Sequence, residues 1–127
     1  MSLKFCKEQC KESCFKCVCA CEDCFNCCIE MKGQRLSAMR DCIKNCKMCC
    51  CVSRHCMEAC CCCTPLILKH ICEACIEACN KCMKECKKHE KNNQHCKICL
   101  KFCEYCIEKF KQLCEQVNQT KKKKTAK

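Results

Sequence analysis

The sequence predicts an all-α fold, an antiparallel up-down-up-down four-helix bundle with a cysteine-lined core. Three observations carry that prediction. Cysteine makes up 29 of the 127 residues, and most of it falls on a beat of steps of three and four. Residues so spaced share one face of an α-helix. Gly and Pro occur once each, at Gly33 and Pro65, too few for a turn-rich β-fold or a small disulfide scaffold. Short polar breaks then cut the chain into four amphipathic segments of similar length, and short connections place neighbouring helices antiparallel.

The first segment covers about 3–32 and stops at Gly33, a helix C-terminal signal. Its stripe is Cys6, Cys10, Cys14, Cys17, Cys21, Cys24 and Cys28. The second covers about 37–63, with Cys42, Cys46, Cys49, Cys56, Cys60 and Cys63 on the beat and Ser53 at one beat position. Thr64-Pro65 reads as an N-cap followed by Pro at the first helical position. The third segment, about 65–88, carries Leu68, Cys72, Cys75, Cys79, Cys82 and Cys86, with His89 next on the beat. Glu90-Lys91-Asn92-Asn93 is a polar turn with an Asn as N-cap. The fourth segment, about 93–119, carries Cys96, Cys99, Cys103, Cys106, Phe110, Cys114 and Val117. Residues 1–120 thus form one domain, and 121–127 a disordered basic tail. Alternating steps of three and four are the coiled-coil seam pattern, so the helices should cross at shallow angles with their sulfurs on one axis.

Composition narrows the function classes. The net charge of +11 is concentrated in Lys121–Lys124 and Lys127 and otherwise mixed with Glu along helix faces. That is a solvated surface plus a tail. One Tyr and five Phe are thin for base stacking, and no nucleic-acid motif is present, so no nucleic-acid partner is expected. The longest uncharged stretch, Ala59 to Leu68, is too short for a membrane span. The first residues show no apolar run or cleavage site, which predicts a cytoplasmic chain with reduced thiols. There, many cysteines mean metal or redox chemistry. An odd total of 29 fits full pairing poorly, and disulfides between helical neighbours would be strained. No Ser-His-Asp set, paired carboxylates or phosphate-binding Gly loop is found, so no enzyme activity is expected.

Twenty-three stripe thiols make a poor core for stability alone, because each buries less apolar area than Leu. As ligands they make sense. Soft thiolates select Cu(I), zinc or iron–sulfur clusters. Cu(I) accepts few ligands, and exchanging one S–H proton for one Cu(I) leaves the charge unchanged. Zinc held by four thiolates would leave two negative charges at each unshared buried site. Cys21, Cys24 and Cys27 run out at Met31 and lack a following Cys-Pro, which disfavours an iron–sulfur cluster. All twenty-three stripe cysteines are therefore candidate Cu(I) ligands. Cys50 and Cys61 flank the second stripe as possible extra ligands. Cys51, His55 and Cys62 share an outward face, and Cys19 and Cys27 also lie off the beat.

The two ends of such a bundle differ. Leu3, Phe5, Leu66, Leu68, Phe110, Leu113 and Val117 gather at one end as an apolar plug. Met31, Met39, His89 and His95 gather at the other. Thioether and imidazole bind Cu(I) without losing a thiol proton, which marks this end as a mouth for metal uptake and release.

The run Cys72-Glu73-Ala74-Cys75-Ile76-Glu77-Ala78-Cys79-Asn80-Lys81-Cys82, then Cys86, His89 and His95-Cys96-Lys97-Ile98-Cys99, resembles the bacterial copper storage proteins of the cytosolic branch. Looser motifs extend the resemblance from about Leu3 to Gln119. It implies a homotetramer of four-helix bundles, many Cu(I) ions held by thiolates along each core, and His and Met near an open end. The chain is richer in cysteine and lysine than that pattern. Two alternatives remain beside it: a helical metallothionein-like zinc buffer, and a thiol redox protein using a few exposed, low-pKa cysteines.

Overall fold

The computed structural model describes residues 2–125, with side chains for residues 2–120. Five helices follow in order: α1 (Leu3–Ile29), α2 (Gln34–Ala38), α3 (Arg40–Cys62), α4 (Pro65–His89) and α5 (Gln94–Thr125). The four long ones form the bundle. α1 packs on α3 and α5, and α4 packs on α3 and α5, so α1 and α4 are diagonal, as are α3 and α5. Every adjacent pair is antiparallel, as the short connections require.

Local chemistry sets the ends. Ser2 caps α1, its side chain accepting from the Phe5 N–H at 3.1 Å. The helix ends at Ile29, three residues earlier than the sequence pattern suggests. Gly33 has φ 63° and ψ −133°, a conformation open to glycine. It lets the chain turn into the short α2, which the stripe pattern does not reveal because none of its residues is buried. Cys63 leaves α3 in an extended conformation, and Pro65 opens α4 at its first turn. Thr64 stands at the N-cap, but its side chain makes no capping hydrogen bond, contrary to the sequence expectation. Asn93 does cap, its Oδ1 accepting from the Cys96 N–H at 3.1 Å. α5 continues to Thr125, so helix runs through Lys121–Lys124, where the composition predicts a disordered tail. Of that tail, Ala126 and Lys127 lie outside the described residues.

The core has two parts. A column of sulfur runs down the axis, with Val18, Ala20, Ala59, Ala78 and Ile107 buried among the helices around it. At one end Leu68, Phe110 and Leu113 are fully buried and Val117 nearly so. Leu3 is partly buried against them, but Phe5 (46% exposed) and Leu66 (51%) point outward and do not join the plug. Of the apolar residues of α1 that lie off the cysteine stripe, Phe15 and Ile29 are exposed, Phe25 is half-buried and Val18 is buried. Among the described residues no helix is long and apolar enough to cross a membrane.

Candidate metal centre

The helical beat brings four stripes of thiols to one axis. All of the cysteines are free. Cys10, Cys14, Cys17, Cys21, Cys24, Cys28, Cys42, Cys46, Cys49, Cys56, Cys72, Cys75, Cys79, Cys82, Cys86, Cys96, Cys99, Cys103 and Cys106 are wholly inaccessible, and Cys6 and Cys60 nearly so. Cys63 and Cys114, the remaining stripe members, are half-buried at the plugged end. Cys63 lies past the last helical turn of α3, and Cys114 donates toward the Lys69 carbonyl at 3.9 Å.

Sulfur touches sulfur along most of the column. At the upper end Cys96 lies 3.6 Å from Cys24 and 3.8 Å from Cys42, and Cys42 lies 3.9 Å from Cys86. Below them Cys82 sits 3.7 Å from both Cys46 and Cys99, and Cys99 lies 3.7 Å from Cys21. Mid-column, Cys49 contacts Cys79 at 3.5 Å, Cys17 at 3.7 Å and Cys103 at 3.9 Å. Cys10, Cys56 and Cys72 form a lower group, at 3.8 and 3.9 Å. These are S–H···S contacts, far longer than a disulfide bond.

Among the described residues, the sets of four sulfurs with all members within 4.8 Å of one another include Cys17, Cys21, Cys49 and Cys103; Cys21, Cys82, Cys99 and Cys103; Cys24, Cys42, Cys86 and Cys96; and Cys24, Cys46, Cys86 and Cys99. The last two take one thiol from each long helix. The sets also share members: Cys21, Cys24, Cys86, Cys99 and Cys103 each serve two. A thiolate that belongs to two sites is placed to bridge two ions, so the arrangement suits multinuclear binding of a soft metal.

The electrostatics point the same way. Burial, with the nearby Cys42 and Cys27 adding, lifts the Cys28 thiol from its ordinary 9.0 to about 11. Cys46 is raised by its contacts with Cys24, Cys42, Cys82 and Cys86 and by burial. Cys103 is raised in the same way by Cys17, Cys21, Cys49 and Cys79. Other thiols of the column go the other way, Cys82 and Cys99 among them. Cys17 is lowered because Cys103 and its other neighbours donate S–H bonds to it, Cys42 through Cys24, and Cys56 through Cys10. A first thiolate is thus held by its neighbours' protons, while the remaining thiols resist ionisation. A monovalent cation that replaces each proton removes that conflict.

The Met and His end is open. A cleft of about 490 Å³ is lined by Met31, Arg35, Ala38, Met39, His89, Asn92 and Asn93. Met39 is buried, and Met31 and His89 are half-buried. His95 is not among the lining residues. It is exposed, because it sits one residue before Cys96 and the helix turns it away from the axis. Arg35 and Asn93 were not foreseen at the mouth. Asn93 was legible as a helix cap, but Arg35 reaches the cleft only because α2 folds across this end.

The off-beat cysteines divide. Cys50 is buried between α1 and α3, its sulfur 3.9 Å from Glu22 Oε1, and Glu22 also pairs with Arg54. Cys61 is exposed and apart from the core sulfurs, as are Cys19, Cys51 and Cys62, and Cys27 is half-buried. His55 and Cys62 do share a surface groove, with Glu58 and Cys63, but Cys51 is not among the residues that line it.

Comparison with known proteins places the chain. No family model matches it. It is 32% identical over 107 residues to the uncharacterized cysteine-rich protein YhjQ of Bacillus subtilis (strain 168), covering 84% of this chain and 94% of that protein. The chain belongs to the family of YhjQ. The same fold occurs in a cytosolic copper storage protein from Streptomyces lividans. Its structure with five coppers has a TM-score of 0.84 at 22% identity, covering 89% of this chain and 95% of that one. A second structure of that protein, with 10 copper equivalents, has a TM-score of 0.82 at 23% identity, covering 87% and 85%. This YhjQ relative therefore has the architecture expected from the cysteine beat.

Proposed function

We propose that this protein stores and detoxifies Cu(I) in the cytoplasm, holding many ions on the thiolates of the bundle core. The observation that carries the reading is the buried, near-continuous sulfur network, in which neighbouring four-sulfur sets share members. The likeness to copper-loaded structures of the Streptomyces protein supports it. The ligands are the stripe cysteines, from Cys6 to Cys114. Met31, Met39 and His89 handle the ion at the mouth, and Cys50 and Cys61 have no part in the core sites. Each arriving Cu(I) displaces one S–H proton to solvent, so the core stays neutral as it fills. The process is stoichiometric binding, not catalysis. The assembly is a homo-oligomer, with a tetramer implied by the family resemblance, and exposed Phe15 and Ile29 supply apolar contact surface.

Zinc keeps a claim because four sulfurs within 4.8 Å of one another are the ligand number it prefers. Anaerobic titration of the reduced protein separates the two. Storage predicts tight uptake of about twenty Cu(I) per chain, roughly one per core thiol when thiolates bridge. Saturation near six or seven zinc ions with weak Cu(I) uptake would favour the zinc buffer, about four thiols per ion.

A further inference from the structure

We propose that the sulfur column is two stores in series, parted at the level of Ser53; the inference rests on the Cu(I)-storage reading. Ser53 occupies a beat position of α3 that elsewhere carries a thiol. It is fully buried, and its Oγ has no hydrogen-bond partner. A second hydroxyl lies at the same level. Ser13, also buried, donates to the Cys10 carbonyl at 2.9 Å and accepts from the Cys106 S–H at 3.8 Å. Cys75 donates to the Val52 carbonyl at 3.4 Å. In this layer Cys106 and Cys75 each direct a hydrogen bond to oxygen.

Above the layer, S–H···S contacts link twelve thiols into one network that ends at Cys17, Cys49, Cys79 and Cys103. Below it, Cys10, Cys56 and Cys72 form their own group, closed from beneath by Leu68, Phe110 and Leu113. Among the described residues no S–H···S contact joins a thiol of one group directly to a thiol of the other. Cys14, Cys75 and Cys106 are the stepping stones left: Cys14 interacts with Cys10 and Cys106, Cys106 with Cys17 and Cys79, and Cys75 with Cys56.

Cu(I) moves between thiols by ligand exchange. A new Cu–S bond forms at the receiving sulfur, whose proton passes to the sulfur released as the old bond breaks. Charge and oxidation state are unchanged, so the step needs only a soft ligand within reach. A hydroxyl oxygen is a hard ligand and serves Cu(I) poorly. The upper store therefore exchanges freely through the mouth, while the lower one must cross the serine layer.

The test follows copper leaving the fully loaded protein under anaerobic conditions, read as the absorbance of a strong Cu(I) chelator. Two phases are expected, the slower holding the minor share and running at least about tenfold slower, a barrier difference of roughly 1.4 kcal/mol. Ser53→Cys supplies the missing sulfur and should bring the two rates within about twofold, a difference of under ~0.5 kcal/mol. Ser53→Ala removes only the unpaired hydroxyl, keeps the fold and should retain both phases. Single-phase release from loaded wild type, or two unchanged phases in Ser53→Cys, overturns the proposal alone. A protein that takes up no Cu(I) overturns the storage reading and this proposal with it.

Discussion

Phe110→Ala tests what holds this bundle together before metal arrives. Phe110 is fully buried between Leu68 and Leu113 at the plugged end, where the column changes from sulfur to hydrocarbon. Removing a buried Phe side chain costs about 3–5 kcal/mol from lost transfer energy and the cavity left behind. Unfolding entropy near 2.1 cal/mol/K per residue makes each kcal/mol worth about 4 °C in a chain of 127 residues. The metal-free variant should therefore melt about 10–20 °C below wild type. Cys49→Ala, equally buried but mid-column, removes one sulfur and should cost only about 1 kcal/mol, or about 4 °C. Circular dichroism melts of the reduced, metal-free proteins compare the two. Copper should then raise the melting points of wild type and Phe110→Ala alike, because ions bound only by the folded state raise its stability. Equal losses in the two variants would refute the division of labour between plug and thiols. So would a shift under about 4 °C for Phe110→Ala.

Further outcomes follow from the same geometry. Replacing Met31, Met39 and His89 together by Ala should slow Cu(I) uptake from a chelator severalfold while leaving capacity unchanged, whereas His95→Ala should alter neither; stopped-flow chelator exchange reads both. Cys28 is raised from 9.0 to about 11, so the folded state keeps its proton where the unfolded chain has lost it. The Cys28 contribution to the stability of the metal-free protein should hold below pH 9.0 and fall between pH 9.0 and about 11, as denaturant midpoints of wild type and Cys28→Ala across pH would show. The copper-loaded protein, its thiols already deprotonated, should lack that fall. Gly33→Ala meets no steric neighbour but must adopt φ +63°, and should cost about 1–2 kcal/mol in urea unfolding.

The stripe cysteines were legible because helix geometry converts spacing into a shared face. Residues at steps of three and four cannot all avoid the axis once four helices pack. The same reasoning placed Met31, Met39 and His89 at one end and Leu68, Phe110, Leu113 and Val117 at the other. It failed where direction depends on a single residue's angle. His95, one position off the beat, turns outward, and Phe5 and Leu66 turn away from the plug. Thr64 took its expected N-cap place without a side-chain capping bond, and α2 was missed for another reason: one-turn helices depend on local backbone angles that no periodicity encodes.

The sequence by itself determined the helices, their antiparallel order, the thiol lining and the polarity of the two ends. All of these follow from hydrophobic and sulfur periodicity along single segments. Tertiary structure decided which thiols meet. Sulfur–sulfur distances across the bundle depend on the relative height and rotation of four helices, and spacing along one helix carries no record of either. Hence the sharing of Cys21, Cys24, Cys86, Cys99 and Cys103 between neighbouring sets emerges only from packing. So does the serine layer: Ser53 in the sequence is one missed beat, but between Cys49 and Cys56 in the packed core it leaves no direct sulfur contact between the two groups, only the steps through Cys14, Cys75 and Cys106.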